Sequence, residues 1–393
     1  MSIELSAVSD AARAYLRLHL VDGLGPILIA RLVEHFGDPR AVVGQSAARL
    51  ERVKGIGPKA AQRIAGNNDD AVEAEIEAAC ARGVRIICVS DPDYPQPLRR
   101  TPDPPPVLYV RGRLQPEDAV ALGIVGSRHC SRYGAEQAER FAALAAEVGL
   151  TIVSGMALGI DTAAHRGALL AKGRTLAVLG CGMKYLYPPR SEELADRIVE
   201  NGALISEFPM DVPPAEFNFP RRNRIIAGLS LGVLVVEAAK HSGALLTASA
   251  ANEYNREVFA VPGRIDTSHS DGCHRLIRNG TAKLVTCLPD ILDELGDVGR
   301  ILLPRAGATH DEAARPDADA ASDQPLLPLT STLKLSDAER RLLDALPAEP
   351  VSVETLTDLS GLPPAGVASA LTSLQLKGLV RREPGELFSR KAL

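Results

Sequence analysis

The sequence predicts an α/β protein. A Rossmann-like parallel sheet domain at 81–300 is flanked by a helical domain at 1–80 and, beyond a flexible linker at 301–333, by a winged-helix domain at 334–393. Three observations carry this. Short apolar runs alternate with helical patterns between residues 122 and 285, which implies parallel strands covered on both faces. A Gly-apolar-Gly-Pro turn occurs twice before residue 60. The alternation fails after Leu303 and resumes near Ser336 as three helical patterns and a hairpin.

In chain order, Leu20-Val21-Asp22-Gly23-Leu24-Gly25-Pro26 and Val53-Lys54-Gly55-Ile56-Gly57-Pro58-Lys59 form the repeat, with Ala30 and Ala61 in nearly matching places. Glycine suits the tight turn and proline the first helical turn, so each copy leads into a helix. The pair resembles a helix-hairpin-helix/SAM-like module, whose hairpin amides can hold a DNA phosphate. Plain compact helix turns are an equal reading, because only the second copy has nearby lysines, Lys54 and Lys59. An acidic, alanine-rich helix is expected over 67–82 and a short strand over 84–89. The crossing from Pro92 to Pro106 is too proline-dense for a helix or central strand, and ends in Val107-Leu108-Tyr109-Val110. It is expected to pack on the surface of the next domain, with a boundary near residue 80.

Strands are predicted at 122–125, 151–154, 175–179, 203–206, 232–236, 258–261 and 283–285. In the first connecting helix, Phe141, Leu144, Ala145 and Val148 recur at helical spacing and form one buried stripe. Residues 304–332 are rich in Ala, Asp, Pro, Ser and Thr and read as linker. Ser336 with Glu339 is a capping box ahead of a helix carrying Leu342, Leu343 and Leu346. A second helix covers 353–359, Pro363-Pro364 opens a third through Lys377, and 379–382 with 387–390 make a wing around Pro384-Gly385. Duplex contact and protein contact are equal readings of this module, since its third helix offers only Lys377 and small residues.

Composition narrows the function. The 393 residues carry 44 Lys and Arg against 49 Asp and Glu, a net charge of −5, so the chain does not coat nucleic acid by bulk charge and any such site must be local. Apolar runs such as 231–239 are too short to cross a bilayer, and no basic region precedes an apolar block at the N-terminus. A cytoplasmic protein without a membrane partner is expected. Cys80, Cys88, Cys130, Cys181, Cys273 and Cys287 are scattered without a CxxC pair, so neither zinc nor a disulfide framework is expected.

The chemistry gathers at strand ends. Gly126-Ser127-Arg128 and Ser154-Gly155-Met156-Ala157-Leu158-Gly159-Ile160-Asp161 follow successive predicted strands, where an open α/β sheet takes its ligands. Glycines let backbone N–H groups approach a phosphate, a helix N-terminus adds positive charge, and Arg128 adds a fork of donors. Lys240-His241-Ser242-Gly243-Ala244-Leu245-Leu246-Thr247 repeats the theme after a later strand. Phe217-Asn218-Phe219-Pro220-Arg221-Arg222-Asn223-Arg224 sets three guanidinium groups beside two aromatics, which suits phosphates and unpaired bases. An interdomain salt-bridge cluster with core phenylalanines is the equal alternative.

A nicotinamide enzyme is disfavoured, because the first turn lacks GxGxxG and the next strand does not end in an acid. Asp161, His165 and Glu237, with Ser127 or Ser154 as nucleophile, would be the hydrolase set, but neither GxSxG nor HExxH is present. Asp161 reads as a cap of the helix beginning near it and His165 as a surface or capping residue. Glu237 reads as an acceptor organising the neighbouring loop.

These motifs, in order with Gly180-Cys181-Gly182, Tyr187-Pro188, Phe219-Pro220-x-Arg222-Asn223-Arg224-Ile225-Ile226, Glu237-Ala238, Ser242-Gly243-x-Leu245-x-Thr247-Ala248 and Arg256 to Gly263, resemble the DNA-processing protein A family, DprA, also called Smf. The resemblance implies a bacterial cytoplasmic protein that binds single-stranded DNA without catalysis or cofactor. It also implies protection of incoming strands during natural transformation, loading of a RecA-type recombinase, and a homodimer formed through the Rossmann-like domain. By motif matching, Gly126, Ser127 and Arg128 would hold backbone phosphate. The second loop (Ser154, Gly155, Met156, Ala157, Gly159, Asp161) and Arg222, Asn223 and Arg224 would complete the pocket. Phe219, Lys240, Ser242, Gly243 and Thr247 join them from the rim segments. Leu158 departs from the arginine of many relatives, which puts one phosphate contact in doubt. The alternative is a nucleoside monophosphate phosphoribohydrolase of the lysine-decarboxylase-like group, but 242–250 lacks the paired glycines and the acid of its PGGxGTxxE loop.

Overall fold

Proline and glycine place the first helices where the sequence expects them. Gly25 is extended with Pro26 opening the helix Pro26–Phe36, and Gly55, at φ +96°, turns the chain towards the helix Pro58–Gly66. The computed structural model describes residues 8–66, 69–310, 337–346, 351–363, 366–367, 370–371, 374, 380–383 and 387–390. They fall into two compact units, Met1–Ala314 and Arg315–Leu393.

In the first unit the helices Asp10–His19, Pro26–Phe36, Pro58–Gly66 and Asp69–Cys80 bury Leu16, Leu18, Ile29, Leu32 and Ile64. This apolar cluster is continuous with Val84, Ile86, Val107 and Tyr109 of the sheet edge, so helical segment and sheet share one core. His19 adds a polar tie, donating from Nε2 to the Glu207 carbonyl at 2.8 Å.

The sheet has nine strands: β1 Val84–Cys88, β2 Val107–Gly112, β3 Ala121–Val125, β4 Thr151–Ser154, β5 Thr175–Val178, β6 Gly202–Ser206, β7 Gly232–Val235, β8 Glu257–Ala260 and β9 Lys283–Leu284. Their order is β1-β2-β6-β5-β4-β3-β7-β8-β9. The seven from β6 to β9 are parallel as expected, whereas β1 and β2 are antiparallel additions beside β6. The proline-dense crossing makes this edge by folding the chain back on itself, with the buried Tyr94 hydroxyl donating to the Pro105 carbonyl at 2.9 Å.

The helix Arg132–Glu147, with Ser131 accepting from the Gly134 amide at 3.0 Å, covers one face through Phe141, Ala142 and Ala145 beside the helix Ile160–Leu170. Asn218–Leu229 and Ala244–Glu253 cover the other. The helix Gly296–His310 continues past Leu303, where the sequence expects the pattern to end, and the rest of the expected linker lies outside the described residues.

The second unit holds the helices Asp337–Ala345 and Val353–Ser360 and three short strands, β10 Val351–Ser352, β11 Val380–Glu383 and β12 Leu387–Arg390, in the order β10-β12-β11. Leu342, Leu343, Leu356, Leu371, Leu374 and Phe388 form its core. Ser336 and Lys377, and with them the capping box and the third helix's end, lie outside the described residues. Among the described residues no helix is long and apolar enough to cross a membrane.

Candidate nucleic-acid interface

From β3 the sheet grows through β4 in one direction and β7 in the other. The chain therefore leaves β3, β4 and β7 on opposite courses, and their carboxyl-end loops bound a crevice at this switch point. The crevice is a cleft of about 660 Å³ lined by Gly126, Ser127, Arg128, Ala157, Asp161, Phe219, Arg222, Asn223 and the loop from Lys240 to Gly243.

Close packing explains the glycines. A Cβ on Gly126 would lie 2.5 Å from Ile160 Cγ1 and 2.8 Å from the Glu237 carbonyl oxygen. Gly159 has φ +77°, and its Cβ would overlap the Ser127 carbonyl. The Ser127 amide donates to the Glu237 carbonyl at 2.7 Å, and the Ile160 amide to the Ser127 carbonyl at 3.2 Å. The three loops thus form one knit rim.

Arg128 is exposed, has no ion pair among the described residues, and sets its guanidinium carbon 4.5 Å from the centre of the Phe219 ring. Tyr187 flanks Phe219 at 5.6 Å between ring centres. The cleft thus presents a cation, an aromatic face and, across the rim, the exposed Lys240. Phe217, 70% exposed, stands just before the helix that carries Phe219.

The other arginines of that segment divide. Arg222 is buried and donates from Nη1 to the carbonyls of Gly155 and Val178, and from Nε to Asn223 Oδ1 at 3.1 Å. Burial lowers its pKa to about 10, opposed by Asp161. Arg222 thus borders the cleft while its donors hold the β4 and β5 ends together. Arg224 corrects the sequence expectation of a third phosphate contact: it turns away, pairing with Glu207 and donating to the Asp103 carbonyl. Arg224 is thus in a salt bridge, but within the sheet domain and not between domains as the alternative had it.

Several expected ligands are scaffold. Ser154 Oγ donates to the Ile124 carbonyl at 2.6 Å, and Met156, at φ +61°, is buried. Gly155 sits against the Arg222 guanidinium and has no room for a side chain. Asn223 Nδ2 donates to the Gly243 carbonyl at 3.2 Å, Ser242 Oγ accepts from the Ala244 amide at 3.3 Å, and Thr247 is buried where it lines the cleft. Leu158, 54% exposed, projects from the second loop.

The would-be catalytic groups are committed elsewhere. Glu237 accepts from Ser131 N at 2.8 Å and Ser131 Oγ at 2.5 Å, the loop-organising role read from sequence. Asp161 lies within the first helical turn and accepts from the Ala157 amide at 3.3 Å; burial raises its pKa, with Arg222 acting the other way. His165 is not on the surface: it is fully buried, its Nδ1 2.7 Å from Thr175 Oγ1, and burial lowers its pKa to about 3.

The buried histidines set an expected pH response. As pH falls below 6.5 the unfolded chain protonates His165 while the folded chain refuses the proton, so stability falls, and His19, lowered to about 4, acts the same way. Asp161 and Glu207, both raised by burial, oppose this. A His165→Gln variant isolates the effect, and its Tm is expected to fall less than the wild type's between about pH 7.5 and about pH 5 in calorimetry.

Sequence reasoning missed Glu216 and Asp271, two exposed carboxylates that line the cleft, and Tyr187 as partner of Phe219. Nothing local marks the acids, and only the fold brings Tyr187 to Phe219. No group of three His, Cys, Asp or Glu side chains suited to a metal occurs among the described residues.

Three family models match the chain: DNA recombination-mediator protein A over residues 85–296, a DprA winged helix domain over 312–386, and a SAM-like helix-hairpin-helix tandem over 16–65. Protein Smf of Synechocystis sp. is 35% identical over 401 residues, covering 98% of this chain and 100% of that protein. Protein Smf of Escherichia coli (strain K12) is 42% identical over 293 residues, covering 74% of each. The X-ray structure of DNA processing protein A from Streptococcus pneumoniae is similar with a TM-score of 0.64 at 36% identity, covering 72% of this chain and 97% of that one. The first match contains every loop of the cleft, and the Synechocystis likeness runs nearly end to end; the chain belongs to the DNA recombination-mediator protein A family, DprA or Smf.

Proposed function

We propose that the chain binds single-stranded DNA in the cleft beyond β3, β4 and β7, protects incoming strands in natural transformation, and helps load a RecA-type recombinase. In this reading it acts in the cytoplasm as a homodimer and breaks no bond. The observation that carries the strand contact is Arg128, exposed and unpaired among the described residues, set over Phe219 at the mouth of a 660 Å³ cleft. Cations track a phosphate backbone, and an aromatic face stacks on a base only when that base is unpaired. The net charge of −5 fits a local site of this kind. The non-catalytic reading is supported by the engagement of Glu237, Asp161, His165 and Ser154 in the fold's own hydrogen bonds.

Oligo-dT is expected to bind more tightly than duplex of the same length in fluorescence anisotropy, with log affinity falling by about 0.7 per neutralised phosphate per decade of salt. Equal affinity for the two forms would count against the reading. AMP incubated with the protein is expected to stay intact, whereas free adenine on chromatography would support the phosphoribohydrolase alternative.

A further inference from the structure

We infer that a second pocket beside the cleft receives a base of the same strand, with Tyr133 as its stacking platform; this rests on the strand reading above. The pocket has a volume of about 480 Å³ and lies between Tyr133, Pro262, Gly263, Thr267 and Ser270, with Glu237 and Arg264 also in its lining.

Two segments of chain line both it and the cleft. The segment after β3 gives Gly126, Ser127 and Arg128 to the cleft and, from the start of the helix Arg132–Glu147, Ser131 at its cap and Tyr133 in its first turn to the pocket. The turn from Thr267 to Asp271 gives Ser268 and Asp271 to the cleft and Thr267 and Ser270 to the pocket. Glu237 joins them from below, its carbonyl holding Ser127 and its carboxyl group holding Ser131.

The chemistry selects a base. Tyr133 offers a flat ring face, Glu237 is engaged by Ser131, and Arg264 at the border pairs with Asp266 at 2.6 Å, so the feature left for an occupant is the aromatic face, which suits a flat base. Tyr133 is 44% exposed, and its hydroxyl donates to the Pro262 carbonyl at 3.1 Å. That bond pins the ring by its edge, so little rotamer freedom is lost when a base stacks on it. Exposed Arg128, in the loop, and exposed Arg132, at the start of the helix that follows it, supply positive charge for the intervening backbone. Arg132 pairs with Glu136 at 2.7 Å, but both groups are exposed, and such a pair yields readily to a phosphate.

The test uses the full chain and oligo-dT carrying single 5-iododeoxyuridine substitutions, irradiated and mapped by peptide mass. A crosslink at Tyr133, competed by unlabelled oligo-dT, is the expected result. In anisotropy, Tyr133→Ala is expected to weaken binding about tenfold, the loss of one stack, and Tyr133→Phe by no more than about twofold. Crosslinks confined to the segment of Phe217 and Phe219, with Tyr133→Ala titrating as wild type, would overturn the inference and leave the strand reading intact. A Tyr133→Ala change that alters sedimentation but not strand affinity would assign the pocket to a second copy and also overturn it. Wild-type protein without preference for oligo-dT would defeat the strand reading, and the pocket's role with it.

Discussion

Replacing Arg128 by alanine is expected to weaken oligo-dT binding by about ten- to a hundredfold, the worth of a hydrogen bond to a charged group, about 1.5–3 kcal/mol. The slope of log affinity against log salt should fall by about 0.7, as one phosphate contact is lost. The thermal midpoint should stay where it is. Arg128 is exposed, makes no ion pair among the described residues, and its ring neighbour Phe219 is also held by Tyr187. Anisotropy at several salt concentrations beside calorimetry checks all three, and an unchanged titration curve would remove Arg128 from the site.

Replacing Arg222 by alanine is expected to act in the opposite way, costing about 3–5 kcal/mol of folding stability. The loss leaves the carbonyls of Gly155 and Val178 without their donor and the buried Asp161 without its compensating charge. Arg222→Lys should recover little, because one ammonium cannot reproduce the planar fork that meets two carbonyls and Asn223 at once. Denaturant titration of the three proteins measures this. Equal midpoints would show that Arg222 is a free ligand of the cleft and not part of its frame.

The contrast between these arginines shows where a sequence is legible. Strands buried on both faces read as continuous apolar runs, so the predicted 151–154 coincides with β4 and 122–125 starts one residue inside β3. The rim loops are visible for a related reason, since close backbone approach demands glycine, as at Gly126 and Gly159. Direction is not visible. Arg222 and Arg224 are two residues apart on one helix, hence on different sides of it, and only the fold brings Glu207 to meet Arg224. The antiparallel pairing of β2 with β6 is hidden for the same reason, because no local pattern names a distant partner. The burial of His165 is equally hidden, because a lone histidine carries no periodic signal of burial and its bond to Thr175 joins a helix to a strand.

The core that the helical segment shares with β1 and β2 fixes a length as well as a fold. The turns at Gly23 and Gly55 cannot swing on a hinge, because Leu16, Leu18 and Ile29 belong to the same apolar mass as Val84 and Tyr109, and His19 is fastened to Glu207 at the end of β6. Those turns keep a constant offset from Arg128. Any polymer touching both would have its span measured by the protein, as against a ruler, and not by its own flexibility.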